Sequence, residues 1–299
     1  MDQPELLKIA VLGAGGQLGQ TFRQISKLYP DIAFDFFDKS ELNILHKEDI
    51  HNVLNSNTYR YVVNCAAYTH VDKAESEPDL CFAINATACK HIAEIMQGTE
   101  MRLIHFSSDY IYHTYNGFPL KESTNPEPQG VYASSKLLGE QYIRAASVPA
   151  LILRASWIVS PFGHNFVKTM LRLGKEKDQL HVVNDQYGAP TYARDLAMAV
   201  MSIIRKTEAN PTNLTSFNTT YNYANEGIVS WFDISTRIMK ELQFSCIVHP
   251  ISSSGYPTPA QRPKWSVLSK QSIKNNFNLE IPHWYRSLTQ CLQELTEKQ

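Results

Sequence analysis

No uninterrupted apolar run in this 299-residue chain approaches the ~18 residues of a bilayer-spanning helix, so a membrane span is not expected. A basic block is also missing. The 28 Lys and Arg against 29 Asp and Glu leave a net charge of −1, which argues against a nucleic-acid partner or an anionic membrane surface. Cysteine is scarce. Cys65, Cys81, Cys89, Cys246 and Cys291 are scattered, odd in number and free of Cys-x-x-Cys spacing. They read as reduced thiols of a cytoplasmic protein, not as a disulfide framework or a zinc site. The segment Met1-Asp2-Gln3-Pro4-Glu5 lacks the pattern of an export signal. The sequons at Asn85, Asn213 and Asn218 are therefore read as chance matches. His46, His51, His91, His105 and His113 are not clustered like metal ligands. Internal repeats and low-complexity tracts are lacking as well.

What is present begins with Leu7-Lys8-Ile9-Ala10-Val11-Leu12, a run of buried-strand type. Gly13-Ala14-Gly15-Gly16-Gln17-Leu18-Gly19 follows at once and opens helix-compatible sequence. Glycines here permit a tight turn and let backbone N–H groups approach a pyrophosphate, and the helix start adds partial positive charge. A strand, a glycine turn and a helix form the context that such a loop requires. A second strand, 33–37, ends in Asp38, placed to accept from an adenosine ribose hydroxyl. A third, 61–65, ends in the small residues Cys65, Ala66 and Ala67 before Tyr68, leaving room for a flat ring. A fourth, 102–106, ends in Ser107-Ser108-Asp109, which brings hydroxyls to the same sheet edge. Tyr132 and Lys136 then lie four residues apart, on one face of a helix. An ammonium beside a phenol favours the phenolate and lowers its pKa toward a useful range.

The alternation of strand and helix, with a fifth strand at 150–154, predicts an α/β fold: a doubly wound parallel sheet with a smaller C-terminal lobe. The expected division is a dinucleotide-binding domain over 1–156 and a substrate lobe over 157–299, with segments near 178–225 returning to the first. The connection from 107 to 130 is long enough to act as a wall or lid of a site. Helices are expected at 166–173, 192–204 and 283–297, a polar surface loop at 207–220, and irregular chain at 252–263.

Further matches sharpen this pattern. They are Asn64-Cys65-Ala66-Ala67-Tyr68-Thr69-His70-Val71-Asp72-Lys73-Ala74-Glu75, Ser107-Ser108-Asp109-Tyr110, Arg154-Ala155-Ser156-Trp157 and Asn165-Phe166-Val167-Lys168. Asn184-Asp185-Gln186-Tyr187-Gly188-Ala189-Pro190-Thr191 and Tyr256-Pro257-Thr258-Pro259-Ala260-Gln261-Arg262-Pro263 complete the set. With them the chain resembles the extended short-chain dehydrogenase/reductase superfamily and, within it, the dTDP-4-dehydrorhamnose reductases. The resemblance implies reduction of a C4 ketone on a dTDP-linked 6-deoxyhexose, with NADPH or NADH as cofactor. It implies catalytic roles for three residues. Ser108 would hydrogen-bond the ketone oxygen, Tyr132 would deliver the proton, and Lys136 would bind the nicotinamide ribose and tune the phenol. It assigns Gly13, Gly15, Gly16, Gln17, Leu18, Gly19, Asp38, Asn43, Ile44, Cys65, Ala66, Ala67, Tyr68, Tyr132 and Lys136 to the cofactor. Val71, Ser108, Asp109, Tyr110, Tyr132, Trp157, Asn165, Lys168 and Arg262 are assigned to the substrate.

There are departures from the family pattern. Serine stands at 108 where threonine is usual, and the hydroxyl is kept. Asn43 stands where an acid is frequent. Asp38 would repel a ribose 2′-phosphate while Lys39 would attract one, so both cofactors stay open. Thr21 replaces an acid that in some members helps bind a metal, and no metal is assigned. A homodimer remains one option. Two alternative functions remain open as well. One is an epimerase or dehydratase of the same fold. A dehydratase needs an additional acid/base pair where Ser108-Asp109-Tyr110 stands. The other is a non-catalytic regulatory subunit resembling that of methionine adenosyltransferase.

Overall fold

The first strand shows how this sequence makes a buried sheet. In β1 (Leu7–Leu12), Ile9 and Val11 point to one face, and Ala10 and Leu12 to the other. A strand alternates its side chains, so continuous apolarity means that both faces are covered. The same alternation runs through β3 (Tyr61–Asn64), β4 (Arg102–Ser108) and β5 (Ala150–Ala155), each buried at every residue. The computed structural model describes residues 6–113, 117–210 and 214–297. Within them, β2 (Ile32–Phe37) and a later strand, β10 (Thr220–Tyr223), complete a six-stranded sheet of order β10-β5-β4-β3-β1-β2. All its pairings are parallel. The chain runs outward from β1 to β2 and then returns to β3 on the other side. This reversal opens a crevice at the carboxyl ends of β1 and β3.

One face is covered by α1 (Gln17–Ile25) through Leu18, Phe22 and Ile25. The other is covered by α2 (Lys47–Asn55), α5 (Ala88–Met96) and α6 (Gly130–Ala145), through Ile50, Leu54, Ile92, Met96 and Ile143. Between β3 and α5 lie α3 (Val71–Ala74) and α4 (Pro78–Phe82). A π-helical turn, Ala83–Thr87, joins α4 to α5. The second lobe has its own core. There α7 (Phe166–Glu176), α10 (Trp231–Glu241) and α12 (Trp284–Thr296) pack Val167, Ile238 and Leu288 around a two-stranded parallel sheet. That sheet pairs β7 (Gln179–Val183) with β12 (Ile247–Ile251). Short strand pairs, β6 (Ile158–Val159) with β9 (Thr191–Tyr192) and β8 (Tyr187–Gly188) with β11 (Val229–Ser230), lie between the two cores. The helix α8 (Ala193–Ala209) returns to the first core through Leu196 and Val200.

The sheet and the helices near 166, 192 and 283 agree with the pattern read from the residues. The polar segment 207–220 does not form a simple loop. Its beginning continues α8, and α9 (Leu214–Phe217) buries Phe217 against Tyr61. One deeply placed aromatic outweighs polar neighbours that stay at the surface. The connection after β4 is anchored to the later chain. Leu120 is fully buried and bonded through its backbone to Val267 and Ser269. Residues 114–116 of that connection, Met1–Glu5 and the sequon at Asn213 fall outside the described residues. No described helix is long and apolar enough to cross a membrane.

A buried ion pair ties the sheet to α6. Arg154 Nη2 donates to Glu140 Oε2 at 2.7 Å, with both side chains under a tenth exposed. The guanidinium also donates to the Tyr112 hydroxyl and the Glu122 carbonyl. Removing one member of such a pair strands the other charge in low dielectric. Glu140→Ala is expected to cost roughly 3–5 kcal/mol, measured as the shift in guanidinium unfolding midpoint. A cost below about 1 kcal/mol would show that Arg154 finds water instead.

Candidate active site

The glycine turn is fixed by close backbone approach. Gly13 has φ +74°, and a Cβ there would stand 2.5 Å from Ala66 N. A Cβ at Gly19 would stand 2.4 Å from Gly13 O. Neither position accepts a side chain without moving the turn. Gly16 caps α1, and no side chain caps that helix end or puts an acid in its first turn. Its first N–H groups therefore remain for an anion. Gly13, Gly15, Gly16, Asp38, Asn43, Ile44, Cys65, Ala66 and Ala67 all line one crevice of about 290 Å³. A larger hollow of about 480 Å³ lies at the opposite, amino-terminal edge of the strands, beside Lys8 and Arg60. Parallel sheets bind ligands beyond the carboxyl ends, so the smaller crevice is the candidate.

Several residues assigned from the sequence have further duties. The side chain of Leu18 enters the core, which leaves only its backbone for a ligand. Asp38 accepts from Ser40 N at 2.7 Å and Ser40 Oγ at 2.6 Å, and these bonds hold its carboxyl below the usual range. Tyr68 sends its hydroxyl to Glu77, 2.7 Å away. Gln17 Oε1 accepts from both Ser160 Oγ and Asn165 Nδ2 at 2.9 Å, tying the glycine turn to the second lobe. Asn165 is also the N-cap of α7, accepting from Lys168 N, while Lys168 Nζ donates to the Pro161 carbonyl at 3.4 Å.

Ser108, Asp109, Tyr110 and Tyr132 gather at the end of β4. Tyr110 and Tyr132 meet edge to face with centroids 5.5 Å apart. Burial pushes the Tyr132 phenol up to about 12, and a hydrogen bond with the Ser108 hydroxyl pulls the other way. Lys136, the cation expected to tune that phenol, has a partner of its own. Its ammonium is buried and donates to the Phe106 carbonyl at 2.7 Å, and burial lowers its own pKa. In this structure desolvation governs the phenol. Cys65 has its thiol raised by burial, which does not suit a nucleophile.

At the rim, Arg262 grips Asp72 with Nη2–Oδ2 at 2.7 Å and Nη1–Oδ1 at 3.0 Å. Asp72 Oδ1 also accepts from Ala260 N. Val71 opens the same short helix, so this pair joins the second lobe to the end of β3. Trp157, held at φ +47°, stacks on Trp231 with centroids 3.8 Å apart. Two participants were missed from the sequence. Trp231 carries no local signal of its own. Asn85, in the π-helical turn, is 1% exposed, which excludes it as a surface sequon. It accepts from Tyr68 N, donates to Tyr68 O and donates to Ser135 Oγ of α6. A π turn marks functional sites often enough that a buried Asn within one is worth attention, but no spacing rule announces it. Among the described residues, no group of three or more His, Cys, Asp or Glu could hold a metal ion.

Comparison with known proteins gives consistent results. The family model described as the RmlD substrate binding domain matches residues 7–297. A dTDP-4-dehydrorhamnose reductase of Aggregatibacter actinomycetemcomitans is 34% identical over 292 residues, covering 95% of this chain and 97% of that relative. The spore coat polysaccharide biosynthesis protein SpsK of Bacillus subtilis is 34% identical over 291 residues, covering 97% and 98%. The crystal structure of a Bacillus anthracis dTDP-4-dehydrorhamnose reductase in complex with NADP superposes with a TM-score of 0.90. It is 33% identical, with 97% of this chain and 99% of that one covered.

The Asp72–Arg262 grip is partly solvent-exposed, so its loss should act locally. Asp72→Asn is expected to accelerate hydrogen exchange at the Ala260 amide by roughly 3- to 10-fold while global stability barely moves. An unchanged Ala260 rate would show that other contacts hold the loop.

Proposed function

Because this chain belongs to the family of the dTDP-4-dehydrorhamnose reductases, we infer that it reduces the C4 ketone of dTDP-4-dehydrorhamnose to give dTDP-L-rhamnose. A nicotinamide dinucleotide, NADPH or NADH, supplies the hydride when bound. The chain's own residues fit that group. The uncapped start of α1 suits the pyrophosphate, Asp38 suits the adenosine ribose, and the small residues Cys65 to Ala67 leave space for a flat ring.

The observation that carries this reading is the meeting of two hydroxyl donors, Ser108 and Tyr132, at the carboxyl edge of the sheet, where β3 alone separates β4 from the β1 strand that leads into the glycine turn. Hydride arrival at a carbonyl carbon builds negative charge on its oxygen. Donors already aimed at that oxygen stabilise it without reorganising. Tyr132 keeps its proton at neutral pH, since its pKa is near 12. An alkoxide is more basic than a phenolate, so the transfer from Tyr132 runs downhill without prior acidification of the phenol. Lys136 has three N–H donors and gives one to Phe106, which leaves the others for a ribose hydroxyl. Trp157 and Trp231 offer a flat apolar wall for the sugar. Asn165, Lys168 and Arg262 would face the nucleotide and its diphosphate.

Mixing the protein with the dTDP-4-keto sugar and NADPH should consume the absorbance of the reduced cofactor in proportion to ketone. Tyr132→Phe removes the transferable proton and keeps the ring. It should lower kcat by roughly 10²- to 10⁴-fold with cofactor affinity unchanged. Turnover within about twofold of the unmodified protein would remove Tyr132 as the proton donor.

A further inference from the structure

We propose that Asp109 is a positioning residue whose protonation decides which way the Ser108 hydroxyl points. As a neutral acid it donates to Ser108 Oγ and frees that hydroxyl's single proton for the substrate carbonyl; as a carboxylate it takes the proton for itself. This rests on the reductase reading of the site.

A serine hydroxyl has one proton and two lone pairs. At Ser108 one lone pair is used, because the Tyr110 N–H donates to it at 3.2 Å. Asp109 Oδ1 stands 3.3 Å from Ser108 Oγ. An ionised carboxylate only accepts, so that contact then consumes the serine proton. A neutral carboxylic acid can reverse the contact and fill the second lone pair. The serine proton is then available to an oxygen on the Tyr132 side, where the ketone would lie.

The surroundings favour the neutral acid. Asp109 is 2% exposed, and its second oxygen, Oδ2, is buried without a well-formed hydrogen bond. A buried carboxylate with only long hydroxyl contacts and no cation is costly there, whereas a carboxylic acid is tolerated. Burial accordingly raises Asp109 to about 7, against smaller opposing effects of the Ser266 and Ser108 hydroxyls. The other groups around it titrate elsewhere. Tyr110, on its own turn, is raised by burial, and Tyr132 of α6 stands near 12. From the rim, Asp72 is lowered and Arg262 raised by their mutual grip, and both act on Tyr110. Below about pH 7 the acid is neutral and Ser108 is free to donate; above it Ser108 is captured.

The test follows kcat for the dTDP-4-keto sugar at saturating NADPH from about pH 5.5 to about pH 9.5. The unmodified protein should show an alkaline limb near neutrality, with kcat at pH 9 about 50-fold below that at pH 7. Asp109→Asn carries an N–H donor at every pH. It should run up to about tenfold slower at acid pH but lose the alkaline limb. Asp109→Ala cannot orient the hydroxyl at all, and kcat should fall roughly 100-fold with the KM for NADPH unmoved. A purely structural role would lower the whole profile in parallel, so a limb that survives in Asp109→Asn overturns the proposal. Infrared difference spectra of the unmodified protein with NADPH give a check that does not depend on how variants fold. A buried carboxylic-acid carbonyl band should vanish in step with kcat, and its absence at acid pH overturns the proposal equally. No turnover by the unmodified protein at any pH would sink the reductase reading, and this inference with it.

Discussion

The buried polar stripe of α6 is the constraint on which the site depends. Tyr132, Lys136 and Glu140 recur every fourth residue, so they share one helical face, and that face lies against the sheet. Lys136 and Glu140 are 2% and 4% exposed, and isolated charges at such depth would be prohibitive. They are tolerated because each has a fixed partner, Phe106 O on β4 and Arg154 on β5. Gly139 lets the helix close in from the side. A Cβ there would lie 2.2 Å from Asn85 O in the π-helical turn. Anchors on both neighbouring elements leave Tyr132 little freedom, and its place beside Ser108 follows from them.

Electrostatics in the site are dominated by exclusion of water and not by neighbouring ions. Tyr132, Asp109 and Cys65 all shift toward their uncharged forms, and Lys136 shifts in the same sense. Such a site resists ionisation until a charge is generated within it. Hydroxyl donors are worth more in that setting than in water, because little else competes to stabilise a nascent oxyanion.

The sheet and the glycine turn were legible in the sequence because their signals are local. Short apolar runs, the glycine spacing and Asp38 at a strand end need no knowledge of distant residues. The Tyr132–Lys136 spacing was legible as a shared face, but its electrostatic reading was not. Four-residue spacing places two side chains side by side; it does not say that the ammonium will turn to the Phe106 carbonyl. The remaining misses depend on contacts between distant segments. Gln17 meets Asn165 across 148 positions and Arg262 meets Asp72 across 190, so no local window contains either pair. Phe217 was concealed by a polar neighbourhood, and Asn85 stood out only as a chance sequon.

Gln17 bridges the two lobes. Its single amide oxygen serves Ser160 and Asn165 at once, so the phosphate turn and the cap of α7 share one acceptor. Both donors also reach carbonyls of their own loop, Phe162 O and Ser160 O, so a ligand that drew Gln17 away would strand neither of them while loosening the turn from the far bank. Any ligand that moved this one amide would thereby be felt on both sides of it, through a side chain with no part in the chemistry.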